Sequence, residues 1–201
     1  MASFSFEGPA WVYALWNLYG FLGAFLINSF VEWGSHRFIL HSPKIVKFAY
    51  ELHDRQHHVM FGPGETYHAQ NKEMEGHITF VARDYFLFLL FTTPLWIGAE
   101  LLIHRPVLIG GVLATLTGLQ LFNSLHLRYH LPSDTWFQRT WFFRYLKQHH
   151  RLHHGDTGKN FNVAFFPIAD FFLGTLAKRT PSPQEQEQEK APASTTSAPT
   201  A

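Results

Sequence analysis

The sequence predicts an all-α fold, namely an integral membrane helical bundle of about three spans with a cytoplasmic helical cap. Two observations favour this fold. Apolar residues make up 46% of the 201-residue chain, with 21 Phe among them, and they are gathered into long runs. The Lys and Arg residues lie almost entirely outside those runs, in segments that are rich in histidine. These features are typical of a membrane protein with a polar layer at one face.

Three apolar runs are the candidate spans. Residues 11–31 include no formally charged side chain and would extend roughly 30 Å as a helix, which matches the hydrocarbon core of a bilayer. Residues 85–103 and 107–125 form the second and third runs, and only the short 104–106 connection separates them. These two runs predict a helical hairpin, because so short a loop holds no domain.

The distribution of positive charge predicts the orientation in the membrane. All but one of the 16 Lys and Arg lie within residues 32–84 and 126–201, and the exception is Arg105 in the hairpin loop. Positively charged segments next to spans tend to remain in the cytoplasm. We therefore expect the histidine-rich segments and the C-terminus to be cytoplasmic, and the N-terminus to lie on the opposite side.

Composition indicates one folded membrane domain, residues 1–179, followed by a disordered tail, residues 180–201. The tail consists largely of Pro, Gln, Glu, Ser, Thr and Ala, a composition that cannot bury a core. The absence of cysteine excludes disulfides and thiolate ligands. The formal net charge of +1 indicates no charged partner, and no nucleic-acid partner is expected.

Two helices are predicted within the cytoplasmic cap. The first begins at Ser42-Pro43, with serine as N-cap and proline at the first helical position. The second is capped by Ser133 or Asp134 and continues to about His154. Aromatic side chains along the second helix predict that it lies at the membrane interface.

Histidine clustering predicts a metal site in this cap. Ten of the 14 histidines fall into four tight clusters. The clustered residues are His36, His41, His53, His57, His58, His126, His130, His150, His153 and His154. An all-imidazole ligand set suits iron, zinc or copper, and ten ligands are too many for one ion. The sequence therefore predicts a dimetal site, with no catalytic residue beyond the ligands.

The spacings indicate how the ligands are shared between two ions. His126 and His130 are four residues apart on a predicted helix, so they share one face and can chelate one ion. The adjacent His153 and His154 diverge by about 100° around a helix, which lets neighbouring histidines bind different ions. A single such pair arises often by chance, whereas four clusters at one membrane face do not.

Other polar residues are candidates for positions around the ligands. His149 is an alternative to the favoured ligand His150, since it also lies four residues before His153. His68 and His77 are candidates for groups that orient a ligand or gate the substrate. Glu32 is either an acceptor for the N–H of a ligating imidazole or an ordinary interfacial charge.

Four motifs resemble the histidine boxes of a known family. They read His36-Arg-Phe-Ile-Leu-His41, His53-Asp-Arg-Gln-His57-His58, His126-Leu-Arg-Tyr-His130 and His150-Arg-Leu-His153-His154. In type and order they resemble the boxes of the fatty acid hydroxylase/sterol desaturase superfamily of membrane di-iron oxygenases. Residues 160–175 are similar to the segment that follows the last box, and Asn162 within it is a further candidate neighbour of the ligands. The resemblance covers about residues 30–176.

The resemblance implies a non-haem site with two iron ions, although zinc can occupy such sites in purified samples. It also implies molecular oxygen as oxidant and a membrane lipid as substrate. No electron-carrier domain is fused to the chain, so a separate donor, cytochrome b5-like or ferredoxin-like, is expected. The predicted function is hydroxylation of a C–H bond in a fatty acyl, sphingolipid or sterol-like lipid.

Four alternatives to this function remain open. A lipid desaturase or a carotenoid hydroxylase would use similar histidine boxes. The second box reads HxxxHH where many family members have HxxHH, and three spans are predicted where fatty acid 2-hydroxylases are thought to have four. From a different class, paired histidines at span ends would also suit a haem-binding membrane electron carrier or a metal transporter.

Overall fold

The computed structural model describes residues 8–132, 135–164 and 167–177. These residues form helices and connecting loops without any strand, which confirms the predicted all-α fold. The helices are α1 (Ala10–Ser35), α2 (Lys47–Tyr50), α3 (His58–Met60), α4 (Lys72–Gly76), α5 (Ala82–Ile103), α6 (Leu108–Tyr129), α7 (Trp141–Gly155) and α8 (Ile168–Phe172). The predicted tail, residues 180–201, lies outside the described residues, so the domain boundary stays a prediction.

Three helices are long and apolar enough to cross a membrane. They extend over Ala10–Leu40, Ala82–Ile103 and Leu108–Tyr129, and each contains one of the predicted apolar runs. Large apolar side chains cover their outer faces: Leu102 is 82% exposed and Phe91 is 71% exposed. A continuous apolar surface of this kind would be unfavourable in water and is the surface that lipid chains would cover.

The hairpin between α5 and α6 is closed by a partly buried carboxylate that accepts hydrogen bonds. His104 ends α5 in the left-handed conformation, with φ of 53°, which reverses the chain. Glu100 Oε2 then accepts hydrogen bonds from the backbone N–H groups of Val107 (2.9 Å) and Leu108 (2.8 Å). The carboxylate satisfies N–H groups at the start of α6 and interacts favourably with the helix dipole.

Glycines let α1 and α6 approach each other closely. The Gly110 N–H donates to Asn17 Oδ1 (2.9 Å), and a Cβ atom on Gly110 would lie only 2.0 Å from the Asn17 carbonyl oxygen. A Cβ on the adjacent Gly111 would lie 2.6 Å from the Trp96 ring of α5. Small residues at such contacts allow backbone-to-backbone packing between membrane helices.

A hydrophobic core joins the cap to the C-terminal end of α6. Phe143 and Leu146 of α7 pack against Tyr129, the last residue of α6, and all three are buried. The Tyr129 hydroxyl donates to the Val163 carbonyl (3.0 Å), so the loop after α7 is tied to the same core. This packing fixes α7 relative to the spans, and thereby positions the histidines that α7 carries.

The first cap helix begins later than predicted. α2 starts at Lys47, with Val46 as its N-cap, rather than at Ser42-Pro43. Ser42 Oγ accepts a hydrogen bond from the Lys44 N–H (3.4 Å) and closes a local turn instead of a helix end. Short hydroxyl side chains often stabilise such turns in competition with helix formation.

The second cap helix also begins later than predicted. α7 starts at Trp141, and Thr140 Oγ1 accepts a hydrogen bond from the Phe143 N–H (3.3 Å) as its N-cap. The predicted caps, Ser133 and Asp134, lie outside the described residues.

We predict that Gly110→Ala destabilises the helical bundle, whereas Gly98→Ala does not. A methyl group at Gly110 would collide with the backbone of α1, which has no flexible atom to move aside, while at Gly98 nothing lies within 4 Å. Overpacking of this kind costs about 1–3 kcal/mol. Thermal unfolding of the two detergent-purified variants checks this, and an equal melting temperature for both would contradict the close α1–α6 contact.

Candidate metal centre

Ten histidines converge into two groups of five. Within each group the nitrogen atoms offered by the five side chains all lie within 4.8 Å of one another. The first histidine group contains His36, His41, His53, His58 and His153. The second histidine group contains His57, His126, His130, His150 and His154. Each group is compact enough to surround one metal ion.

A π-helical turn at the end of α1 brings together the first pair of the first histidine group. His36 begins the π-helical segment His36–Leu40, and the His41 N–H donates to the His36 carbonyl (3.0 Å). An i→i+5 turn places residues five apart near one face, whereas an α-helix would separate them. This turn explains how an irregular helical spacing yields two neighbouring imidazoles.

A second π-helical segment, Glu51–His57, does the same for His53 and His58, which are also five residues apart. Their Nε2 atoms lie 3.2 Å from each other. His53 and His57 would be neighbours on one face of a regular α-helix, yet they fall into different groups. The sequence offers no obvious signal for a π-helical turn, so the pattern alone did not predict this division.

His57 ends the second π-helical segment, and α6 with its C-cap residue and α7 supply the other five histidines through ordinary helical geometry. His150 and His154 are one α-helical turn apart and both belong to the second histidine group, as do His126 and His130 on α6. His153 lies next to His154 but belongs to the first histidine group, because adjacent residues diverge by about 100° around a helix. α7 therefore contributes to both groups.

Hydrogen bonds at the outer ring nitrogens leave the inner nitrogens unprotonated. His41 Nδ1 donates to Asp54 Oδ1 (2.7 Å), and His153 Nδ1 donates to the Lys159 carbonyl (2.7 Å). A neutral imidazole has one ring proton, so Nε2 of each ring presents a lone pair. These two Nε2 atoms face each other at 3.0 Å. Two lone pairs at this distance repel unless a cation lies between them.

The second histidine group has the same arrangement. His130 Nδ1 donates to the Tyr67 carbonyl (2.8 Å), and His154 Nδ1 donates to the Phe61 carbonyl. Both Nε2 atoms point at His150 Nε2, at 3.1 Å and 3.0 Å respectively. His150 Nε2 has at most one proton, which cannot satisfy both neighbours without protonation of a further ring.

Several buried nitrogens of the second histidine group make no hydrogen bond at all within the described part of the chain. Both ring nitrogens of His57 and of His126, and Nδ1 of His150, have no partner. Unsatisfied buried polar atoms are rare in folded proteins, and a group of them in one place indicates an ion or ligand site. The donor set thus fits a metal ion on structural grounds.

Burial keeps these imidazoles neutral. Desolvation, reinforced by the neighbouring imidazoles, lowers the pKa of His57, His58 and His150 well below the usual range for histidine. For His153 burial lowers the pKa to about 3. The neutral imidazole is the form that binds metal, so both groups are in a metal-binding state at neutral pH.

Asp170 of α8 holds the loop that orients His36 and His153. Its carboxylate accepts hydrogen bonds from the backbone N–H groups of Phe161 (2.9 Å) and Asn162 (2.8 Å). The Phe161 carbonyl in turn accepts from His36 Nδ1 (2.6 Å). Asp170 is fully buried and also contacts His149 Nε2 (3.2 Å), so it connects α7 and α8 to the first histidine group.

Glu32 fixes the same loop rather than an imidazole. Its carboxylate accepts from the backbone N–H groups of Val163 (2.9 Å) and Ala164 (2.8 Å), and from Asn162 Nδ2 (3.0 Å). Asn162 Nδ2 also donates to the Ser29 carbonyl of α1 (2.8 Å). Both candidate neighbours, Glu32 and Asn162, therefore act one step away from the ligands, through the loop that holds them.

The other candidate histidines lie outside the two groups. His149, the alternative to His150, is turned toward Asp170, so α7 presents His150 to the second histidine group. The His68 ring lies edge-to-face against Tyr67, and burial lowers the pKa of His68 to about 4, whereas His77 is exposed.

Sequence reasoning missed the groups that orient the ligands. Asp54 is separated from its partner His41 by 13 residues, and the main-chain carbonyls of Phe61 and Tyr67 have no side-chain signature. Only Asp54 had a usable signal, as a carboxylate placed among the histidines of the second box.

An apolar cavity between α1, α5 and α6 adjoins the first histidine group. His36 forms part of its wall, and no member of the second histidine group lines it. The two groups therefore differ in their access to the region between the spans.

We predict that Asp54→Ala weakens metal binding by the first histidine group about 10- to 100-fold, the usual effect of removing a carboxylate that orients a ligating imidazole. Glu51→Ala, an exposed carboxylate on the same segment, serves as the control. Zinc titration of the detergent-purified variants against a chelating dye checks this. Unchanged affinity in Asp54→Ala would exclude a role for Asp54 in orienting His41.

A family comparison matches most of the chain. The model of the fatty acid hydroxylase family matches residues 21–175, a range that contains all ten grouped histidines. Comparisons with curated proteins and with solved structures gave no match. The family consists of oxidoreductases of the membrane lipid hydroxylase and desaturase type, which use O2 and are typically metal-dependent. With well over half of its length matched, this chain belongs to the fatty acid hydroxylase family.

Proposed function

We propose that this protein is a membrane di-iron oxygenase that hydroxylates a C–H bond of a fatty acyl, sphingolipid or sterol-like lipid. The single observation that carries the proposal is the pair of five-imidazole groups at one end of three apolar helices. Lipid chains would reach such a site directly from the bilayer. Molecular oxygen is the proposed oxidant, and a separate cytochrome b5-like or ferredoxin-like protein is the proposed electron donor.

The ten grouped histidines are the proposed ligands of the two irons. Iron in such an imidazole environment supplies redox chemistry that activates O2, which zinc cannot supply. Zinc can nevertheless fill imidazole sites built for iron, so it is an expected contaminant of purified samples.

The chain's own residues have positioning roles in this proposal. The Asp54 carboxylate and the Lys159 carbonyl fix the tautomers of His41 and His153, so that Nε2 points inward in both. Asp170 holds the loop that carries the Phe161 carbonyl, and through it the His36 ring. Preorganised ligands lose little conformational entropy when metal binds.

Burial has a second role in the proposed reaction. All five histidines of the second histidine group are buried, and the wall of the cavity beside His36 is mainly apolar. A water-poor site protects reactive species from side reactions and favours an apolar substrate. A lipid C–H bond presented beside His36 would meet the first histidine group before the second.

Desaturation is the second candidate, because hydrogen abstraction at the same site can end in a double bond instead of a hydroxyl group. Mass spectrometry of lipids incubated with iron-loaded protein, a reducing system and isotopically labelled O2 separates the two. Hydroxylation incorporates one labelled oxygen atom, whereas desaturation removes two hydrogen atoms. If the lipids show neither of these changes, the result contradicts an oxygenase that acts on them.

We predict that the wild-type protein binds two iron ions per chain, and that His153→Ala and His154→Ala each lower the content to about one. Each substitution removes a ligand from a different group. His77→Ala, an exposed histidine outside both groups, should retain both ions. Metal analysis of purified protein checks this, and equal iron content in all four proteins would contradict the assignment.

We further predict that the histidine groups and the C-terminus face the cytoplasm. The chain has no cysteine, so single cysteines can report on its orientation. With a membrane-impermeant maleimide on intact cells, Arg105→Cys in the hairpin loop should react, whereas Glu73→Cys in α4 should react only after permeabilisation. The reverse labelling pattern would place the histidine groups on the outer side.

A further inference from the structure

The cavity beside His36 is a pocket built between the three spans. Its empty space of about 540 Å³ includes the part that is open to the surroundings. Apolar side chains form most of the wall, among them Val31 of α1, Phe88 of α5 and Leu119 of α6. Such a wall suits an aliphatic chain.

Polar side chains, among them Asn28 of α1 and Thr115 of α6, line the part of the cavity remote from His36. Trp96 Nε1 of α5 donates a hydrogen bond to Thr115 Oγ1 (3.0 Å), which fixes the position of this hydroxyl group. Trp96 also packs with Ala24 and Ala114, and all three side chains are almost completely buried.

Asn28 is unusual among the polar residues of this region. It is only 8% exposed, yet its carboxamide makes no hydrogen bond within the described ranges, and Nδ2 is fully buried without a partner. Thr92 and Thr115, in contrast, donate to backbone carbonyls of their own helices. An unpaired amide buried between apolar helices is unfavourable, because its hydrogen-bonding capacity is unused. An unpaired buried amide in the wall of a cavity indicates a site for a hydrogen-bonding ligand.

Asn28 and His36 lie on the same helix, eight residues apart. At about 1.5 Å per residue they are separated by about 12 Å along α1. An extended alkyl chain with C–C bonds of about 1.5 Å advances roughly 1.3 Å per carbon, so about nine or ten carbons would connect the two positions.

We propose that the cavity binds an extended lipid chain carrying a hydroxyl group, which hydrogen-bonds to the Asn28 carboxamide. The carbon about nine or ten positions away then lies beside His36 at the first histidine group. The inference rests on the proposed function and narrows its substrate class to lipids already oxygenated within the chain. Asn28 is a specificity-determining residue that selects the lipid and sets the position of attack.

Binding of radiolabelled 12-hydroxyoctadecanoic acid to the detergent-purified full chain tests this, with unlabelled octadecanoic acid as competitor. The wild type should bind the hydroxylated chain about fivefold more tightly than the plain chain, the effect of one net hydrogen bond. Asn28→Leu should lose this preference and bind both chains equally. Thr93→Val, which removes a hydroxyl near the cavity but not from its wall, should retain the preference.

Thermal unfolding of the lipid-free variants provides a second readout. Because Asn28→Leu removes an unpaired buried amide, its melting temperature should equal or exceed that of the wild type. A lower melting temperature together with unchanged lipid preference would assign Asn28 a structural role and overturn the proposal. Equal binding of the two chains by the wild type would also overturn the proposal. It would mean that only water hydrogen-bonds to the Asn28 amide, or that the protein does not recognise the hydroxylated chain.

Metal content of the same samples separates this inference from the proposed function. If the protein binds no iron but prefers the hydroxylated chain through Asn28, the result supports lipid binding in the cavity and contradicts the proposed oxygenase function. If the protein binds two irons but shows no preference for the hydroxylated chain, the result contradicts only the proposed recognition of that chain in the cavity.

Discussion

The central constraint on this structure is the convergence of unprotonated imidazole nitrogens in a buried space. His41 and His153 donate their only ring protons outward, so their Nε2 lone pairs face each other at 3.0 Å. Such an arrangement is unfavourable by itself and becomes favourable when a cation is shared between the rings. The surrounding structure provides the rigidity that keeps the nitrogens in place, and the neutral state of the buried rings makes them available as ligands.

The elements around the histidines are arranged to hold them. Two π-helical segments, His36–Leu40 and Glu51–His57, turn histidines five residues apart toward one centre. Asp170 and Glu32 together bind four backbone N–H groups of the loop between α7 and α8, which carries the carbonyl that orients His36. The spans contribute a different function, since they place an apolar cavity against the first histidine group only.

Much of this organisation could be predicted from the sequence, because apolar runs and histidine spacing are strong local signals. The three spans and the all-α fold were predicted in this way, and family membership followed from the four boxes. His53 and His57 belong to different histidine groups because a π-helical turn changes the angle between their side chains. This turn has no evident signature in the sequence. The predicted starts of α2 and α7 were wrong. Ser42 closes a local turn instead of capping a helix, and Thr140 is the N-cap of α7. Asn28 lacks a hydrogen-bond partner because of how helices distant in sequence pack around it, and no local sequence pattern predicts this packing.

The most direct test of this account is the location of iron in the purified, iron-loaded protein. Anomalous scattering measured on either side of the iron absorption edge would identify each bound ion. Two separate peaks are expected, one within the first histidine group and one within the second. A single peak shared by the ten histidines, or iron bound away from both groups, would contradict this account.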